Sequence, residues 1–279
     1  MLEASKDIQT RTAEESKSIG FMPTLFVNAC LPHSKCEEEK FIRINGKEKT
    51  TFIDVHNVGL PYGSLSRILL VWIATHAIQK QERRIELEGS MSRFMKSMNM
   101  QSSGGNNGSI KRIKRQIVSL LSCAVTHVNI ADNSLILETT PLTNRQHYWW
   151  SNESTSFDGA YIELSQEFYD RVIQNSAPVD IRAINLLRRS PLAIDIYIWL
   201  TYKMGTIPRA TTISYKRLIS QIGAGYSNDK KGLNRFQQAF KKQLSYVLTV
   251  YPSANIEVLP GRVQLKPGKP HVNKIQNKS

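Results

Sequence analysis

The stretch Ser109-Ile110-Lys111-Arg112-Ile113-Lys114-Arg115-Gln116-Ile117-Val118-Ser119-Leu120-Leu121-Ser122-Cys123-Ala124-Val125 decides how this chain is read. Ile110, Ile113, Ile117, Leu120, Leu121 and Val125 recur at helical spacing, which predicts a helix over residues 109–125 with one apolar face. Lys111, Arg112, Lys114 and Arg115 crowd its first two turns. Cations there oppose the helix macrodipole, so helix stability does not account for them, whereas a polyanionic partner would. A solvated basic face is the ordinary meaning of one such run. Here the pattern comes twice, because residues 233–248 are apolar at Leu233, Phe236, Phe240, Leu244 and Val247 and basic at Arg235, Lys241 and Lys242.

The segments around the two helices repeat as well. Residues 62–80 read as a helix, 84–88 as a short alternating strand, and 91–98 as a second helix behind Ser90, all ahead of the basic helix. A hairpin over 129–139 then closes the unit as its wing. In the second half, residues 191–204 (helix), 211–214 (strand), 215–222 (helix), 233–248 (helix) and 255–266 (a wing turning at Pro260-Gly261) return in the same order. Trp72 answers to Trp199, Arg93-Phe94 to Arg217-Leu218, Arg112-Ile113 to Arg235-Phe236, and Leu121-Ser122 to Leu244-Ser245. Four matches in one order at nearly constant separation mark two diverged copies of one module. The expected fold class is α+β: two tandem winged helix-turn-helix domains preceded by a β-hairpin segment. That hairpin occupies residues 40–55 around Asn45-Gly46, a pair suited to a type I′ turn. The expected division is a flexible tail over 1–20, an N-terminal domain with the hairpin over 21–150, and a C-terminal domain over 151–279.

Charge agrees with the helices. Of 279 residues with a net charge of +14, residues 1–60 carry eight Lys/Arg against nine Asp/Glu, 61–150 eleven against five, and 151–279 eighteen against nine. The basic character lies in the two repeated segments, as a nucleic-acid partner requires. No apolar run approaches the ~20 residues of a membrane span, so no membrane association is expected. Three cysteines, an odd number, point to a reducing compartment.

Several chemistries lack their residues. Neither Gly104-Gly105 nor Gly223-Ala224-Gly225-Tyr226 is followed by the Lys-Ser/Thr of a nucleotide-binding loop. His33, His56, His76, His127, His147 and His271 are scattered, unlike the clustered metal ligands of a DNA nickase. Cys30, His33 and Cys36 are closely spaced but one ligand short of a structural zinc site. No enzymatic activity, cofactor or metal is therefore expected. Trp149 and Trp150 sit in a polar segment and read either as a pair buried between the modules or as a platform for unpaired bases.

Longer strings point to a family. Leu31-Pro32-His33-Ser34, the Asn45-Gly46 hairpin, Gly59-Leu60-Pro61-Tyr62-Gly63-Ser64, the run from Arg188-Arg189-Ser190-Pro191 through Trp199 to Tyr202, Val250-Tyr251-Pro252 and Pro270-His271-Val272 together resemble the plasmid-encoded RepA replication initiators. The resemblance reaches from about residue 21 to 272. It implies a bacterial cytoplasmic protein that binds repeated double-stranded sites at a plasmid origin, opens the origin and recruits the host helicase or initiator proteins. It carries over no fixed set of site residues, so these rest on position within the module. Arg112, Lys114, Arg115, Arg235, Gln237 and Gln238 are placed to reach base edges, since Arg pairs bidentately with guanine and Gln with adenine. Lys111, Lys230, Lys231, Lys241, Lys242 and Arg262 are expected on phosphates. Whether the first module reads DNA or mainly holds a homodimer together stays open, as does a transcriptional repressor built on the same fold.

Overall fold

The computed structural model describes residues 2–45, 48–87, 91–101, 103, 108–131, 134–147 and 160–273. The first elements are α1 (Leu2–Thr10), β1 (Ile19–Pro23), α2 (Thr24–Asn28), β2 (Lys40–Asn45) and β3 (Glu48–Asp54). There follow α3 (Gly63–Lys80), β4 (Arg84–Glu86), α4 (Met91–Ser97) and α5 (Ser109–Leu121), then β5 (Cys123–Ala131), β6 (Ser134–Pro141), β7 (Thr143–His147) and β8 (Tyr161–Leu164). α6 (Gln166–Gln174), β9 (Ser176–Asp180) and α7 (Ile181–Leu187) lead to α8 (Pro191–Met204), β10 (Thr211–Ser214), α9 (Tyr215–Ile222), α10 (Lys230–Val250), β11 (Ile256–Leu259) and β12 (Arg262–Leu265).

Two sets of six elements repeat. α3, β4, α4, α5, β7 and β8 form the first, and α8, β10, α9, α10, β11 and β12 the second. Each set carries a three-stranded antiparallel sheet in the same order, β4-β8-β7 and β10-β12-β11. The central pair repeats too: Ile85 faces Ile162 as Ile213 faces Val263, and all four are buried. Helix, strand, helix, helix, strand, strand with this strand order matches the order of elements expected of a winged helix.

Three features depart from the sequence reading. First, the hairpin expected over 129–139 as the first wing is real but belongs elsewhere. β5 and β6 join the β2–β3 hairpin in a four-stranded sheet, order β2-β3-β5-β6. β5 pairs with β3 from Cys123 opposite Asp54, so α5 stops at Leu121 and Val125 lies in a strand. The strands in the wing position are β7 and β8, which places the join between them, and Trp149 and Trp150 with it, outside the described residues. Second, the boundary at 150/151 does not separate two bodies, because β8 completes the sheet of the first unit and α6 packs on α3.

Third, the flexible tail expected over 1–20 is structured over its described residues, 2–20. Ile8 of α1 is buried, Gln9 Nε2 donates to the Thr249 carbonyl of α10 (2.8 Å), and Asp7 Oδ2 accepts from Arg182 Nη1 (2.9 Å). β1 then pairs antiparallel with β9, Phe21 opposite Pro178. Gly20 permits this passage: a Cβ there would lie 2.8 Å from Ile181 Cγ1 and 2.9 Å from Val71 Cγ1, so the strand is clamped between α7 and α3.

The two units share one continuous apolar core that runs from Ile8 through Phe52, Leu69 and Trp199 to Leu265. α8 is at its centre. Ser190 caps the helix by accepting from the Ala193 N–H (3.2 Å), Pro191 starts it, and Leu192 to Thr201 are buried on every side. Two polar seams cross the same interface. Arg43 Nη2 of β2 donates to the Ile219 carbonyl of α9 (2.6 Å), and Gln221 Nε2 donates to Asn45 Oδ1 (2.8 Å). Deeper in, Arg67 of α3 meets Asp195 of α8 through Nε to Oδ1 (2.6 Å) and Nη2 to Oδ2 (2.7 Å), and His33 Nε2 donates to the same carboxylate (2.8 Å).

Removing one partner of a buried ion pair strands the other charge, at a cost of about 3–5 kcal/mol. Asp195→Ala should therefore lower the urea midpoint by that amount of stability, checked by equilibrium unfolding at pH 7. A pH series tests the same cluster. Burial would raise the Asp195 pKa, but Arg67 and then the His33 hydrogen bond overcome it and leave the carboxyl below its ordinary range. Burial holds the His33 pKa below its ordinary value despite Asp195. Both folded-state values are depressed, so both contributions are complete above the unfolded values and are lost as pH falls. The melting temperature should start to decline below about pH 6.5 from His33 and fall further below about pH 4 from Asp195. His33→Asn should remove the first part of the decline.

Candidate nucleic-acid interface

α5 is held from beneath. Ile113, Ile117, Leu120 and Leu121 are buried, and Gln116, also buried, accepts from the Tyr62 N–H (3.0 Å) and the Ser66 hydroxyl at the start of α3. At its N-terminus Ser103 and Ser109 clasp each other: Ser103 N–H donates to Ser109 Oγ (2.7 Å) and Ser109 N–H to Ser103 Oγ (3.0 Å). With that face fixed, Lys111, Arg112 and Arg115 are exposed and Lys114 is half-buried.

α10 is set by its first turn. Asp229 caps it, its Oδ1 accepting from Gly232 N–H (2.6 Å) and from the Ser227 hydroxyl (3.1 Å). Those bonds, the Gly232 N–H foremost, lower the Asp229 pKa and keep the cap charged. A Cβ on Gly232 would lie 2.1 Å from the Ser227 carbonyl oxygen, so the turn between α9 and α10 folds back onto the helix where only glycine leaves room. Behind it Phe236 and Phe240 pack against Tyr215 of α9, with ring centroids 6.3 and 5.7 Å away. Opposite that core, Lys231, Arg235, Gln238 and Lys242 follow one another at helical spacing and are exposed, with Lys230 and Lys241 exposed on the flank beside them. Gln237, expected at base edges, is half-buried. Arg262 is exposed on β12 just after Gly261, whose φ of +72° turns the wing.

The sequence reading passed over one part of this surface. Arg112 and Arg115 line a groove of about 600 Å³ together with Arg188 and Arg189 from the α7–α8 junction and Ser64 and Leu65 from the first turn of α3. Arg188 Nη1 donates to the Asn99 carbonyl after α4 (2.6 Å). The Arg-Arg pair just before the Ser190 cap was visible in the sequence, but only tertiary packing brings it beside α5.

The tightly spaced Cys30 and His33 do come together, with Asp195 in the place expected of Cys36; the three ligand atoms lie within 4.8 Å of one another. This is poor chemistry for a cation. Both Asp195 oxygens already serve Arg67, whose guanidinium would repel a metal, and burial raises the Cys30 thiol pKa to about 11, so it stays protonated. The cluster reads as the ion-pair seam of the fold. Among the described residues no helix is long and apolar enough to cross a membrane.

The sequence profile of the family described as plasmid-encoded RepA protein matches residues 60–218, from just before α3 to the first half of α9. The chain belongs to that family. It is a replication-initiator family, and the matched span covers α3 to α5, the α7–α8 junction and the start of the second unit. No curated protein sequence matches the chain. Its fold is similar to the crystal structure of selenomethionine derivatives of domains 2 and 3 of RctB: TM-score 0.58 at 10% identity, over 90% of this chain and 99% of that one.

Because the Ser227 carbonyl occupies the space a side chain would need, Gly232→Ala should displace the first turn of α10. The expected cost is about 1–3 kcal/mol, with the site cations moved out of register. Equilibrium unfolding reads the first effect and DNA affinity at fixed salt the second, and an unchanged affinity would show that the turn does not position the helix.

Proposed function

We propose that this protein initiates plasmid replication by binding repeated duplex sites at the origin through α5 and α10, opening the adjacent DNA and recruiting host helicase or initiator proteins. The observation that carries this reading is the duplication itself. In a chain of the RepA family, two units of one topology each present an amphipathic helix with its apolar face in the core and its cations outward. Arg112, Arg115, Arg235 and Gln238 are the residues we assign to base edges. Lys111, Lys230, Lys231, Lys241, Lys242 and Arg262 we assign to phosphates, and Lys114 and Gln237, half-buried, to the margins of the contact. No catalytic step is assigned to the chain.

Dimerisation belongs in the same proposal. On the outer face of the four-stranded sheet Ile42, Ile44 and Leu137 are exposed beside half-buried Ile53 and Val128, with Lys49, Thr126 and Thr139 among them, a partly apolar face on the first unit that supports a second copy docking there.

Binding should be steeply salt-dependent. With ~6–10 phosphate contacts, affinity is expected to fall by about 10³ to 10⁵ between 50 and 200 mM salt, and a nearly flat titration overturns the DNA reading. Arg235→Ala should cost about 1–3 kcal/mol at the cognate site and little on random duplex, whereas Lys241→Ala should weaken both together. Competition binding against cognate and scrambled duplexes separates these outcomes. Replication of a plasmid carrying only this gene and its flanking DNA tests initiation. DNA binding without replication in that assay would favour the repressor.

A further inference from the structure

We propose that the groove between α5 and the α7–α8 junction seats the phosphodiester backbone of bound DNA, with Arg188 and Arg189 as phosphate contacts that join the surfaces of the two units. The inference rests on the DNA-binding reading above and adds a site to it.

Four arginines from two distant stretches of sequence, Arg112 and Arg115 on α5 and Arg188 and Arg189 ahead of α8, line one groove, and among the described residues no Asp or Glu lines it. The arginines with described carboxylate partners are Arg11, Arg67, Arg83, Arg84, Arg171 and Arg182. The groove's four are not among them. A groove that gathers four arginines with no described carboxylate among its lining residues is suited to an anion from outside.

The anion that suits it is extended. All four arginines are exposed on the lining of the groove, and the positive surface continues out of it along α5 through Lys111. A guanidinium presents a planar fork that matches phosphate oxygens two at a time. One edge of Arg188 is already spent on the Asn99 carbonyl, which fixes the group and leaves its remaining donors for a phosphate. The position of the pair points the same way. Arg188 and Arg189 stand immediately before the cap of α8, the first helix of the second unit, yet line the same groove as the basic helix of the first. A strand of DNA leaving α5 toward the second unit would meet them.

The test uses the full chain and random duplex of ~20 bp, with log affinity measured against log salt. Each lost phosphate contact should lower the slope by about 0.9, so Arg189→Ala should lower it by about that amount and the double variant Arg188→Ala/Arg189→Ala by about twice as much. The ratio of cognate to random binding should stay at the wild-type value. Because Arg188 also holds the Asn99 carbonyl, circular dichroism checks the fold of the double variant, and if that fold is lost the slope of Arg189→Ala alone decides. A steep wild-type slope that Arg189→Ala leaves unchanged overturns the proposal while sparing the DNA reading. A flat wild-type slope overturns the DNA reading and this site with it. Loss of cognate preference in Arg189→Ala would make the residue a base reader and overturn the backbone assignment. Inorganic phosphate and ATP provide the remaining arm: if either raises the melting temperature of the wild type but not of Arg189→Ala, with the DNA slope unchanged, the groove serves a free phosphate and the backbone seat is wrong.

Discussion

The pairing of Arg67 with Asp195 is the constraint on which the rest of the arrangement depends. Arg67 is 2% exposed, and all five of its guanidinium hydrogens are used: Nε and Nη2 on Asp195, Nη2 also on the Leu31 carbonyl (2.7 Å), and Nη1 on the carbonyls of Gly63 (2.8 Å) and Pro32 (3.2 Å). A buried charge is tolerable only when its hydrogen-bonding capacity is met in this way. The net stability such a pair adds over an apolar replacement is small, but its geometry is demanding: a slide of α3 along α8 by even one residue would leave both charges stranded. An apolar contact between the same helices would tolerate such slippage far better. The pair thus acts chiefly on register, fixing the first helix of one unit against the first helix of the other.

That register reaches the surface proposed to face DNA through short links. Gln116 ties α5 to the start of α3, four residues before Arg67, and the α9 carbonyl of Ile219 is tied to Arg43 of the four-stranded sheet. α9 in turn packs its Tyr215 on the phenylalanines of α10. The two basic helices are therefore carried by one body with a shared core, not by two domains on a linker. For a ligand as stiff as duplex DNA this matters, since a surface already in its bound geometry spends none of its binding free energy on ordering.

What the sequence disclosed follows the range of the forces involved. The helices were legible because their apolar period and caps are local: residues 191–204 and 215–222 were legible to the residue, and the repeated order of elements was visible before any strand pairing was known. The partners of strands were not legible. Residues 129–139 look like a wing because a hairpin after a recognition helix ordinarily is one, and nothing local says that β5 prefers β3, some seventy residues earlier, to a strand of its own unit. The N-terminal segment failed for the same reason. β1 has five residues and its partner lies near the middle of the chain, so its polar approach looks like a tail. At the site, the cations of α5 and α10 were legible from amphipathicity, which sorts a helix into inside and outside, while Arg188 and Arg189 gain their neighbours only when α8 docks on α3.

The insertion of β5 and β6 also bears on whether two copies of one module can share one task. In the second unit α10 runs for 21 residues and continues directly to its wing. In the first, α5 has 13 residues, its chain is captured by β3 two residues after its end, and the wing strands follow only after the inserted pair. The cations differ accordingly. Those of α5 are confined to residues 111–115, whereas α10 spreads Lys231, Arg235 and Lys242, with the neutral Gln238 between them, over three turns of a face opposite its core. A helix that reads several successive bases needs length along the groove, and α10 has it. The first unit has exchanged that length for a sheet with exposed aliphatic residues on its outer face and for a basic groove shared with the α7–α8 junction. These are features suited to holding a partner copy and the DNA backbone, and they favour α10 as the main reader of sequence.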